Sequence, residues 1–173
     1  MEEQTNLLQH FLAALAYRTQ KALRGCADSF PSFRIAPGVR TPHELLHHMD
    51  SVLGYAQTFF VGGSYRVPML PGFPAEIERF HTTLTHLASL VTESEDWSRI
   101  SPEQLLQGPL SDAMSHAGQL ALLRRLSGDP IPPENFVFAA VTPGNLGSCQ
   151  PLPVAPDADW PERPTPAVPP KAT

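Results

Sequence analysis

The stretch Leu110-Ser-Asp-Ala-Met-Ser-His-Ala-Gly-Gln-Leu-Ala-Leu-Leu-Arg-Arg-Leu126 reads as one long helix, closed by Gly128 as a C-cap glycine. One face of that helix carries Asp112, His116 and Gln119. Residues four apart on a helix stand one above the other, so Asp112 and His116 address the same point. A carboxylate and an imidazole at that spacing hold one divalent metal when a neighbouring helix supplies a third ligand. His48, on an earlier helix, is the candidate for that ligand. The fold this requires is a helical bundle, in which facing helices build metal sites in the core.

Three further helices are written upstream. Residues 5–24 carry Leu7, Leu8, Phe11, Leu15 and Ala22 on one face, with Gly25 as a natural stop. His10 and Tyr17 lie to one side of that stripe, and His10 reads as an ordinary half-buried or solvent-facing histidine. A linker over residues 26–40 follows, whose Phe30 and Phe33 are expected to plug the end of the bundle. Thr41-Pro42-His43-Glu44 then opens the second helix, with Thr41 as N-cap, Pro42 at the first helical position and Glu44 completing a capping box. Its buried face is Leu45, Leu46, Met49, Val52, Leu53, Ala56 and Phe60. Projected at about 100° per residue, His48 lands at the edge of that face, whereas His43, His47 and Asp50 land on the opposite, watery side. Gly62-Gly63 is no phosphate loop, because no strand precedes it and no Lys-Ser/Thr follows. A third helix is expected from Pro74 to Thr92, with Ile77, Phe80, Leu84, Leu87 and Val91 as its stripe, His81 flanking it and His86 facing away. Ser101-Pro102-Glu103-Gln104 predicts a short extra turn before the last helix.

Beyond Gly128 no helical period survives, and 12 of the 20 prolines lie from Pro130 onward. The expected division is a bundle over residues 1–136 and a proline-rich extended tail over 137–173, with Phe136, Phe138 and Trp160 as its anchors. That tail either wraps the bundle, its own or a partner subunit's, or dangles; a third functional reading has it dock a partner. A chain of 173 residues suits a single core with some excess. The formal charge of −5 and the scattered Lys and Arg argue against a nucleic-acid partner. Cys26 and Cys149 are too few for a disulfide framework and fit a reducing compartment. The acidic start Met-Glu-Glu-Gln-Thr, with no long apolar run behind it, predicts no signal peptide, no membrane span and a cytoplasmic protein.

The stretch from His116 to Pro132 resembles the last-helix motif of the DinB-like, YfiT-like four-helix bundles, where a His-x-x-x-His pair is followed by a residue, Gly-Gln, apolar positions and a basic pair. Glu44-Leu-Leu-His-His-Met49 resembles that family's second-helix motif. The resemblance covers residues 5–136. It implies an all-α four-helix bundle, with His48 and His116 as ligands of a divalent metal, Zn²⁺ or Ni²⁺. Asp112 stands where the family's first histidine would be; relatives of the maleylpyruvate-isomerase type, which use low-molecular-weight thiols, carry an acidic residue there and still bind zinc. The activities implied are metal-dependent hydrolysis or thiol S-transfer on a small molecule, in a protein that pairs as a homodimer.

Plainer readings stand beside these. Asp112 could be a first-turn acid favoured by the helix dipole, and His116 a core histidine bonded to a carbonyl. Gln119 could orient a ligand or bound water, or bond a neighbouring helix; His81 could line the pocket or pack at the core edge; and Arg124 and Arg125 could meet an anionic substrate, or serve the helix dipole and solvent as arginines near a helix C-terminus do. The competing functional reading is a non-catalytic bundle with a degenerate site, acting as a dimerisation or binding module.

Overall fold

The computed structural model describes residues 2–160. It contains α1 (Glu2–Leu23), α2 (Pro42–Val61), α3 (Phe73–Glu93), α4 (Pro102–Leu105) and α5 (Ser111–Leu126), and no strand among the described residues. The helices start where side chains satisfy their free N–H groups. At α2 the Thr41 hydroxyl accepts from the Glu44 N–H at 3.2 Å, and the Glu44 carboxylate accepts from the Thr41 N–H at 2.7 Å. Ser101 and Gln104 repeat that reciprocal box at the start of α4.

The fourth helix departs from expectation. Leu106–Leu110 form a π turn with Pro109 inside it, and Leu110 keeps helical dihedrals, so α4 runs on into α5. Proline has no N–H to donate, and its ring crowds the carbonyl one turn back; widening that turn relieves both. The expected separate short turn is therefore the first part of the last helix, which begins at Pro102 rather than near Leu110.

α2 packs on α3 and α5, and α1 packs on the same two helices from the other side, giving a helical bundle. The line Leu8, Leu12, Leu15, Thr19, Ala22 of α1 is buried, as are Phe80, Leu84, Leu87 and Val91 of α3. Leu7, expected inside, is 63 % exposed because it stands one residue, about 100°, off that line. Tyr17, expected beside the stripe, is fully buried. Phe30 plugs the bundle end, edge-on to Phe73. Arg124, expected in solvent, is buried: it donates to the carbonyls of Ala22 and Arg24 at the end of α1 and pairs with Asp129 at 2.9 Å. It thereby satisfies carbonyls that the last turn of α1 leaves unpartnered.

The described part of the proline-rich segment lies along its own bundle. Glu134 is buried, accepts from the Tyr17 hydroxyl at 2.7 Å and pairs with Lys21 at 3.2 Å. Phe136 meets Tyr17 edge-on beneath the Arg18 guanidinium. Leu146 enters the core, and Trp160 is buried. Phe138, a predicted anchor, is instead 62 % exposed; the short 3-10 turn Phe136–Phe138 aims only Phe136 at α1. Residues 161–173 of the expected tail lie outside the described residues. Cys26 and Cys149 are free thiols. No helix among the described residues is long and apolar enough to cross a membrane.

Candidate metal centre

Because α2 and α5 are neighbours, His48 meets the α5 pair. The three proposed ligand residues converge, with one ligand atom of each within 4.8 Å of the others. Tetrahedral ligation at about 2.1 Å sets ligand atoms about 3.4 Å apart. His116 Nε2 and Asp112 Oδ1 already stand 3.4 Å apart, and His48 Nε2 is 4.0 Å from Asp112 Oδ2. The two imidazoles sit edge to face with centroids 4.9 Å apart. These two contacts use different oxygens of the Asp112 carboxylate, so the side chains must close up on one point to hold a small divalent ion.

The protonation pattern suits a ligand set. Gln119 Oε1 lies 2.9 Å from His116 Nδ1 and accepts the hydrogen bond of that nitrogen, which leaves Nε2 on the side of Asp112. Gln119 thus orients the His116 ring. His48 is held below the ordinary imidazole range, first by burial and then by repulsion from the Arg40 guanidinium and from His116, with Asp112 pulling the other way. A neutral imidazole is the form that binds metal. Burial falls unevenly: the His116 side chain is 11 % exposed, whereas that of Asp112 is 50 % exposed. One side of the cluster therefore opens to solvent, as catalytic metal sites do.

The plainer readings also find support: Asp112 is the acid in the first turn of α5, although α4 runs on into that helix, and the buried His116 bonds the side-chain carbonyl of Gln119 through Nδ1. His81 is remote from the cluster; its Nδ1–H donates to the Leu146 carbonyl at 2.6 Å and Gln20 flanks its other nitrogen. Arg125 is exposed at the end of α5.

A second convergence was missed by the sequence reading. His47 and Asp50, expected in water, meet Glu76 of α3. Asp50 and Glu76 are fully buried, and the Arg79 guanidinium lies among them. Arg79 Nε pairs with Asp50 Oδ2 at 3.2 Å, Nη2 bonds Glu76 and reaches His47 Nδ1 at 2.9 Å, and Nη1 donates to the Pro68 carbonyl. Tyr65 and Thr83 hydroxyls complete Asp50, and the Leu70 N–H completes Glu76. The helical projection failed here because α2 is covered on two sides, by the bundle core and by the segment of residues 62–72 carrying Tyr65. Gly54 was the available signal: it shares a face with His47 and Asp50, and a Cβ there would lie 2.2 Å from the Tyr65 ring.

Comparison with known proteins gives no match: no family model, no curated protein and no solved structure aligns with the chain.

Proposed function

We propose that this protein is a metal-dependent enzyme of the DinB-like, YfiT-like kind, holding one Zn²⁺ or Ni²⁺ between His48, Asp112 and His116 and acting on a small molecule. One observation carries the reading: two imidazole nitrogens and a carboxylate from neighbouring helices aim at a single point that opens to solvent. A divalent ion held by three protein ligands keeps open positions, where it lowers the pKa of a bound water or thiol. The chain's own contribution is orientation. Gln119 fixes the His116 tautomer and ring plane, α5 stacks Asp112 under His116, and α2 sets His48 at the edge of the cleft. Hydrolysis and thiol transfer are the two reaction types that the resemblance of the last helix implies.

The test is metal analysis of full-length protein without a histidine tag, with melting followed as Zn²⁺ or Ni²⁺ is added. Ligand binding at a hundredfold excess over its dissociation constant stabilises by about 2.7 kcal/mol, which for a chain of this size raises Tm by roughly 5–10 °C. We expect one ion per chain, and loss of both uptake and the Tm gain in His116→Ala and Asp112→Ala. Wild-type protein that takes up no ion and gains no stability overturns the proposal.

A further inference from the structure

Beside the metal centre, an open cleft of about 640 Å³ runs between α5 and the 35–40 segment. Its walls include Ile35, Val39, Leu122 and Leu126, each left 40–49 % exposed, and Arg40 and Gln119 stand along it. Half-exposed large apolar side chains gathered on one groove mark a binding surface more often than they mark chance. Arg40 also borders the adjoining cleft that contains His48. Its guanidinium makes no hydrogen bond to, and no ion pair with, any described residue. Arg34 close by is already committed, to Glu44 and to the Val39 carbonyl. The chain carries a formal charge of −5, so an anion finds little general attraction and depends on a local cation to seat it.

We propose that this groove binds the substrate and selects an organic anion with a carboxylate head and an aliphatic body, its head at Arg40 beside His48 and its body between Ile35, Val39, Leu122 and Leu126. The assignment rests on the metal-enzyme reading for its chemistry and on the groove alone for binding. A guanidinium offers paired donors in the plane that a carboxylate accepts, and none of Arg40's donors has a partner within the described fold. The four apolar walls supply the part of the affinity that a short acid cannot use. Gln119, bonded to His116 on one side and lining the groove on the other, joins the anion site to the metal ligands.

The probes are octanoate, acetate and octan-1-ol, titrated calorimetrically into the full-length protein, both zinc-loaded and metal-free. Octanoate should bind saturably, one per chain, with acetate and octanol each far weaker. Arg40→Gln should weaken octanoate by about tenfold or more, the usual worth of a charge-assisted hydrogen bond. Leu122→Gln should weaken octanoate and leave acetate unchanged, and both variants should take up zinc as wild type does. Equal binding of acetate and octanoate, or an Arg40→Gln variant that binds octanoate normally, overturns the assignment. So does a dimer that Leu122→Arg splits and octanoate leaves intact, since a second copy would then fill the groove. Octanoate binding without any zinc uptake sinks the metal reading while upholding the groove.

Discussion

Arg79→Met isolates the buried charge network and carries a pH dependence of a definite sign. The Arg79 side chain is 17 % exposed, while the side chains of both its carboxylate partners, Asp50 and Glu76, are wholly buried. Methionine keeps much of the stem's packing and removes the cation, leaving two buried carboxylates with hydroxyl, backbone amide and His47 imidazole partners but no guanidinium. Removing one partner of a buried ion pair costs about 3–5 kcal/mol, which at 2–4 °C per kcal/mol for this chain length lowers Tm by roughly 6–20 °C at pH 7. In the native protein burial raises the Glu76 carboxyl pKa, but the Leu70 N–H, the Arg79 guanidinium and His47 together outweigh it and hold that pKa below the usual range. Its contribution is therefore present above the unfolded value, near 4.3, and disappears as pH falls through the lower folded value. In the variant the sign reverses: Glu76 loses the guanidinium that helped hold its pKa down, and burial, which pushes it up, then dominates. Acidification from pH 7 to 5 then relieves the strain, and the Tm gap between wild type and variant narrows. Calorimetric scans at both pH values decide it. A loss below about 2 °C at pH 7, the size expected of an exposed pair, or a gap that widens at pH 5, refutes the reasoning.

Gly54→Ala places a Cβ 2.2 Å from the Tyr65 ring and must displace it, breaking the tyrosine's bonds to Asp50 and Thr83. The expected cost is about 1–3 kcal/mol, read as a lowered denaturant midpoint, although alanine is the better helix former. Glu134→Ala leaves Lys21 buried without its counter-ion and strips the Tyr17 hydroxyl of its acceptor. Hydrogen exchange should then quicken in the 131–160 segment well before it does in α2 or α3.

The helices themselves were legible because they rest on local rules. Thr41 and Glu44 cap α2 in the manner their spacing predicts, and the stripe of α3 is buried as its period requires. The pair Asp112 and His116 was legible for the same reason: a separation of one turn needs no knowledge of the rest of the chain. What could not be read locally was what covers each helix. Asp50 and His47 project away from the apolar face of α2, and no rule within α2 says that Tyr65 and Arg79 will close over them. Arg124 was misread for a similar reason, since its partners are backbone carbonyls of α1, a hundred residues distant. The start of the last helix was misjudged because Pro109 signals a break, and a π turn absorbs it instead.

The two polar clusters on α2 begin at adjacent residues, and their difference bears on function. His47 turns toward α3, where Arg79 supplies the positive charge that Asp50 and Glu76 require. The position that a metal ion would take in that cluster is filled by a guanidinium, with Tyr65, Thr83 and Leu70 meeting the remaining oxygens. Such a network is complete within the chain and explains a fold. His48, about 100° further round the helix, turns toward α5 and meets the Asp112 carboxylate and the His116 ring. Among the described residues no lysine or arginine forms an ion pair with Asp112, and the Arg40 guanidinium repels a proton on His48. The α3 cluster is closed by a guanidinium of the chain itself, whereas the cluster of His48, Asp112 and His116 has no such built-in cation among the described residues and opens toward a cleft, so it is the one of the two with room for an external cation.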